Sequence, residues 1–431
     1  MARPTTRSTS GSTLVLLTAL TLLLASLGIR PAFADPASTD DPAEAAAGWL
    51  VTALTDDPAV GSDFGPSVGP TLDVLFALSA VGVASTTIEA IADWVTSETA
   101  NYTQGAAFGD GADDPAYAGA TAKLALGLLV VDRDPRDVGD IDLIDQLLSL
   151  ETTDGPDGIE GRFSDRSEFG DFSTPLTQSL ALLALHRAPG VEPSEEAISA
   201  LVDQACDDGG FPSQFAPDTC TSSVDATGYA VQALAAVGAD DAVLDAAAWL
   251  ESVQAADGSF SSPDGVNTNS TGLAAAALAV AGSSDLAAAA TAWIVSQQDG
   301  CDSDSPGAIP FSIDARGSVE LATSQAILGL VGTSLAVLSS AGASDTIPTL
   351  DCETREEVEE EPTSEPVPDG ADDVDNVEAA PAEEQDIPRP TRVDSGLSPS
   401  VPAWQVLTLL LGALLLSGGV ATGLRSRREP R

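Results

Sequence analysis

A phenylalanine set in a Gly/Asp-rich loop returns six times along this chain, at Phe64, Phe108, Phe163, Phe211, Phe260 and Phe311, roughly every 45–55 residues. Each loop leads to a threonine and then to an Ala/Leu-rich run: Thr71, Thr121, Thr177, Thr227, Thr271 and Thr323. Seven residues past the threonine stands Leu78, Leu128, Leu234, Leu278 or Leu330, and the third unit has Ala184 there. Seven residues are two helical turns, so the threonine and the leucine share one helix face. A second helix precedes the loop and carries Trp49, Trp94, Trp249 or Trp293 in four of the units. The unit is therefore helix, loop, helix. Such a unit cannot bury its apolar face alone, so the chain must stack its units into an open solenoid or a closed ring.

Composition favours helices. Hydrophobic residues make up 43% of the chain but aromatic ones only 4%, so the apolar mass is Ala, Leu and Val. Runs such as Ala274–Ala277 form helix readily and let neighbouring helices approach closely. No polar capping unit stands at either end of the array, which favours closure. The expectation is an all-α fold: an α6/α6 toroid of six helical hairpins spanning residues 41–352, with one helix of each pair lining the centre.

The two ends read differently. Residues 1–34 have the pattern of a signal peptide: Arg3 and Arg7, an apolar stretch from Leu14 to Leu27, and Ala32-Phe33-Ala34 before Asp35. Residues 353–400 are rich in Glu, Asp and Pro and poor in apolar groups, which predicts a disordered acidic linker. Residues 401–424 are apolar and uncharged, long enough for one C-terminal transmembrane helix, with Trp404 at its entry. The basic tail 425–431, with Arg425, Arg427, Arg428 and Arg431, places the C-terminus in the cytoplasm by the positive-inside rule. The expected location is the cell membrane, single-pass, with the N-terminal body extracellular.

Net charge is −49, from 17 basic and 66 acidic residues, which argues against a nucleic-acid partner. One histidine, His186, stands near the end of a predicted inner helix, where a cation complements the helix dipole; no metal site is expected. The four cysteines of an exported chain imply disulfides, for which three connectivities are possible. Local pairing gives Cys206–Cys220 and Cys301–Cys352.

Gln254-Ala255-Ala256-Asp257-Gly258-Ser259-Phe260 resembles the QW-type repeat of the prenyltransferase and squalene-cyclase superfamily, whose fold is the α/α-toroid. The inner-helix sequences Asp225–Leu234 and Asn269–Ala274 are similar to those of the same toroids. The wording Ser270-Thr271-Gly272-Leu273-Ala274 is also similar to the α-domain of the transcobalamin and intrinsic-factor family. The cyclase resemblance would imply a D-x-D-D proton donor, but Asp110-Gly111-Ala112-Asp113-Asp114 and Asp40-Asp41 do not fit that motif. Protein prenyltransferases use Asp, Cys and His on zinc, and no D-x-C pair stands at the matching place.

What remains is binding at the polar starts of the inner helices. The candidate ligand-binding residues are Thr71 and Asp73; Tyr117 and Thr121; Thr177 and Gln178; Asp225, Thr227 and Tyr229; Asn269 and Thr271; Thr323 and Gln325. Each is also a plausible helix cap. The expectation is a membrane-anchored, non-catalytic toroid that binds a small molecule at this mouth, cobalamin being the ligand that the second resemblance implies. The alternatives are a surface module that docks an envelope protein, and a cyclase- or prenyltransferase-like enzyme with a divergent active site.

Overall fold

The structure is a computed structural model that describes residues 37–352 except 63–64, 108, 154–157 and 313. The signal peptide, acidic linker, apolar stretch 401–424 and basic tail predicted above lie outside the described residues, as do Phe64 and Phe108. Among the described residues no helix is long and apolar enough to cross a membrane.

The chain alternates between an outer and an inner helix. Helix α1 (Pro42–Ala53) leads to α2 (Val68–Val81); α3 (Ser85–Ser97) and the short α4 (Thr99–Thr103) lead to α5 (Ala118–Val130). Then α6 (Leu143–Leu148) precedes α7 (Pro175–Arg187), and α8 (Glu195–Val202) precedes α9 (Val224–Ala236). Last come α10 (Asp240–Val253) with α11 (Thr268–Val280), and α12 (Ser284–Ser296) with α13 (Val319–Val331). The inner helices touch in the order α2, α5, α7, α9, α11, α13, and α13 returns to α2. Helix α1 packs on both α2 and α13, across the seam. The hairpins close into a ring, an α/α-toroid, as the repeat predicts.

Small residues let the inner helices meet. Ala274 to Ala277 of α11 are fully buried. A Cβ on Gly272 would lie 2.5 Å from the Gln325 carbonyl oxygen of α13, so only hydrogen fits there. Most inner helices are covered around their whole circumference, whereas outer helices such as α8 bury one stripe, Ala197, Ala200 and Leu201. A helix buried all round and a half-buried one are what two concentric layers require.

The repeated threonine turns out to be a clamp. Thr271 Oγ1 donates to the Asn267 carbonyl at 2.6 Å and accepts the Phe260 backbone N–H at 3.0 Å. Thr71 accepts the N–H of Val60, Thr227 that of Phe211, and Thr323 that of Ile309. Thr121 is also occupied, donating to the Tyr117 carbonyl and accepting from Gln146. In the third unit the partner of Phe163 N–H is Gln178, not Thr177. The alignment of that unit on Thr177 is thus corrected by one residue, and Leu185 takes the place assigned to Ala184. The buried loop residue of the sixth unit is correspondingly Ile309 rather than Phe311, and Val60 fills that role in the first.

Replacing Thr271 with valine keeps the shape but leaves the Phe260 N–H buried without an acceptor. The expected loss is about 2 kcal/mol, read from urea unfolding.

Two features secure the ends. Residues after α13 cross the C-terminal end of the inner barrel and bury Leu335 and Leu338. Arg187 of α7 donates to the Leu335 carbonyl at 2.7 Å, and Gln232 of α9 accepts the Leu335 N–H at 3.0 Å. Onward, Ser340 N–H reaches the Val130 carbonyl and Ser344 N–H the Gly82 carbonyl, so the segment spans the barrel floor. Cys301–Cys352 and Cys206–Cys220 form disulfides, the pairing expected from locality.

Candidate functional site

Because the threonines face the loops, the opposite side of each inner helix faces the ring axis. Two residues further on is a turn of about 200°, which puts Asp73, Lys123, Leu180, Tyr229, Leu273 and Gln325 at one axial level. Two residues before the threonine, Asp225 on α9 and Asn269 on α11 occupy the next level towards the N-terminal mouth. Six of these eight axial positions are polar, in a core that is otherwise mostly Ala, Leu and Val.

The contacts agree with that placement. Lys123 Nζ sits 2.8 Å from Asp73 Oδ1, tying α5 to α2, and Asp73 is only 6% exposed. Asn269 Nδ2 donates to Gln325 Oε1 at 3.1 Å, tying α11 to α13. Tyr229 is buried on α9, and the carboxylates of both Asp73 and Asp225 act on its phenol. Since α9 and α2 are not neighbours in the ring, that field acts across the axis. Tyr102, from α4, completes the set: its hydroxyl lies 3.4 Å from where a Cβ on Gly69 would stand, and it too feels Asp73.

Burial dominates the electrostatics. It pushes the Asp73 carboxyl up, and the attraction of Lys123 only partly offsets this. It pushes both tyrosines up, with the nearby carboxylates adding to the effect. Asp225 is raised by burial and by the Asp264 carboxylate, against the pull of the neighbouring Ser270 hydroxyl. Three atoms here are buried without an aligned hydrogen-bond partner: Asp225 Oδ1, Asn269 Oδ1 and Ser270 Oγ.

The raised pKa fixes a sign. The folded state binds the Asp225 proton more tightly than the unfolded chain, so stability falls as pH rises through the folded value. Replacing Asp225 with asparagine is expected to raise the melting temperature at neutral pH. The gain should close below about pH 4, where aspartate is protonated in both states.

Several expected ligand residues lie elsewhere. Thr71, Thr121, Thr227, Thr271, Thr323 and Gln178 are committed to backbone or loop partners, so the six-fold bowl of hydroxyls is not built. Tyr117 hydrogen-bonds Asp110 at 2.8 Å and Ser167 at 3.0 Å within the paired loops before α5 and α7. Thr177 packs where a Cβ on Gly119 would come within 3.1 Å of its Oγ1. Asp73, Asp225, Tyr229, Asn269 and Gln325 do converge. Lys123, Tyr102 and Ser270 join them unforeseen; for Lys123 the signal was its place two residues after Thr121. His186 is exposed in the last turn of α7. Among the described residues no group of His, Cys, Asp and Glu is placed to hold a metal ion.

No protein-family model matches the chain. No curated protein matches its sequence. Solved structures do resemble it in fold. A protein from Actinoplanes shares 17% identity at a TM-score of 0.50, covering 68% of this chain and 99% of its own. The apo type II terpene cyclase MstE from Scytonema shares 16% identity at a TM-score of 0.47, over 67% of this chain and 96% of that one. Candida albicans protein geranylgeranyltransferase-I complexed with GGPP shares 14% identity at a TM-score of 0.45, over 60% and 82%.

Proposed function

We propose that the chain is a binding module whose ligand enters the N-terminal mouth of the inner barrel and is held by the axial polar cluster. The observation that supports this is the set of buried acceptors without partners, Asp225 Oδ1 and Asn269 Oδ1, beside the buried Asp73–Lys123 pair. A buried ion pair contributes little to stability compared with apolar packing of the same volume, and unpaired buried acceptors cost free energy. A ligand that supplies the missing partners gives these groups a use. The barrel floor is closed by Leu335 and Leu338, so access is from the mouth. The disulfides fit an exported body, with residues 401–424 as its membrane anchor and the acidic linker as spacer.

Backbone-amide-resolved NMR of the full chain with a panel of small polar probes tests this. Hydroxocobalamin belongs in the panel because the transcobalamin resemblance names it. Saturable shifts centred on Asp73, Lys123, Asp225, Tyr229, Asn269 and Gln325 are expected. Binding that maps only to the outer helices would contradict the reading and favour the surface-docking alternative.

A further inference from the structure

The mouth is rich in acceptors. Asp225 and Asn269 stand at equivalent positions, two residues before Thr227 and Thr271, on the touching helices α9 and α11. The helices run close there: a Cβ on Gly228 would lie 3.1 Å from the Leu273 carbonyl oxygen. Ser270, 1% exposed, lies beside Asp225, and its hydroxyl favours the ionised carboxylate while its oxygen accepts no hydrogen bond. Asn269 donates one amide N–H to Gln325, and its amide oxygen accepts no hydrogen bond. Lys123, one level deeper along the axis, is engaged by Asp73.

We infer that the ligand group received at this point is a primary ammonium, bound by Asp225 Oδ1, Asn269 Oδ1 and Ser270 Oγ. An ammonium carries three N–H donors, matching three oxygens that each have a lone pair to offer, and a charge-assisted bond to a carboxylate is about twice as strong as a neutral one. The N-terminal dipole of α9 helps keep Asp225 ionised to receive it. Asp264 adds negative potential, and the acidity of the chain as a whole raises the local concentration of cations.

This inference rests on the mouth being a binding site, and the test separates the two. The full chain is titrated with n-butylammonium, n-butyramide and n-butanol, with the mouth residues followed by NMR. The ammonium is expected to bind at least about tenfold more tightly than either neutral probe, and to lose about tenfold in the Asp225→Asn variant. The Ser270→Ala variant, which keeps the charge, should lose less. Butyramide binding as well as butylammonium, or an unaltered affinity in Asp225→Asn, would overturn the ammonium assignment while leaving the mouth as a site. No probe from either panel reaching the mouth would overturn both.

Discussion

Replacing Gly307 with alanine is expected to unseat the first helix from the last loop and to destabilise the chain by at least ~4 kcal/mol. Gly307 sits at φ +90°, and a Cβ there would come 2.7 Å from the Ala45 carbonyl oxygen of α1. Two penalties combine: a backbone conformation that side chains rarely adopt, and a clash with backbone that cannot rotate away. The position joins the ends of the array, because Gln298 also donates from this loop to the Pro42 carbonyl at 2.9 Å. Gly139 is the control. It too has positive φ, +63°, but a Cβ there would meet nothing within 4 Å, so alanine should cost only about 1 kcal/mol. Urea unfolding of the two variants should differ accordingly; equal losses would mean that the seam carries no load.

The second large effect is expected at Lys123. Its removal, Lys123→Ala, leaves the Asp73 carboxylate buried at the axis without its cation, at a cost of about 3–5 kcal/mol at neutral pH. The sign with pH follows from burial. Asp73 is already raised, and losing Lys123 raises it further, so the deficit should shrink as pH falls towards the ordinary carboxylate value. Combining Lys123→Met with Asp73→Leu should recover much of the loss, since neither charge then remains to be desolvated. A single variant as stable as the parent would show that water, not Lys123, satisfies Asp73.

The ring was legible because its repeat is punctuated by residues with one job each. Phe163, Phe211 and Phe260 are fully buried in their loops, and the threonine that follows two of them holds the loop to the inner helix. Where chemistry of a different shape does that job, reading by residue type fails. Gln178 reaches Phe163 with a longer side chain, so the register slipped onto the adjacent Thr177. Ile309 and Val60 stand for phenylalanine where the loop packs a smaller apolar group.

The site was legible only in part, and for a geometric reason. The threonine that marks each unit faces the outer layer, so a mouth built from those threonines pointed the wrong way. The axis lies about half a turn of helix away, at Asp73, Lys123, Tyr229 and Gln325, and a shift of two residues would have found it. Tyr102 comes from a helix outside the two-helix repeat, and nothing in the repeat signals it.

Ring closure is the claim on which the axial site depends, since Asp73 and Gln325 face one another only if the last unit meets the first. The α-protons of Gly307 and the methyl of Ala45 report on it directly, because the Cβ direction of Gly307 passes 3.5 Å from Ala45 Cβ. A nuclear Overhauser contact between them in the native full chain is the expected result. Its absence, with the equivalent contact of Gly258 to the α12 backbone still present, would mean an open array and no axis for a ligand to enter.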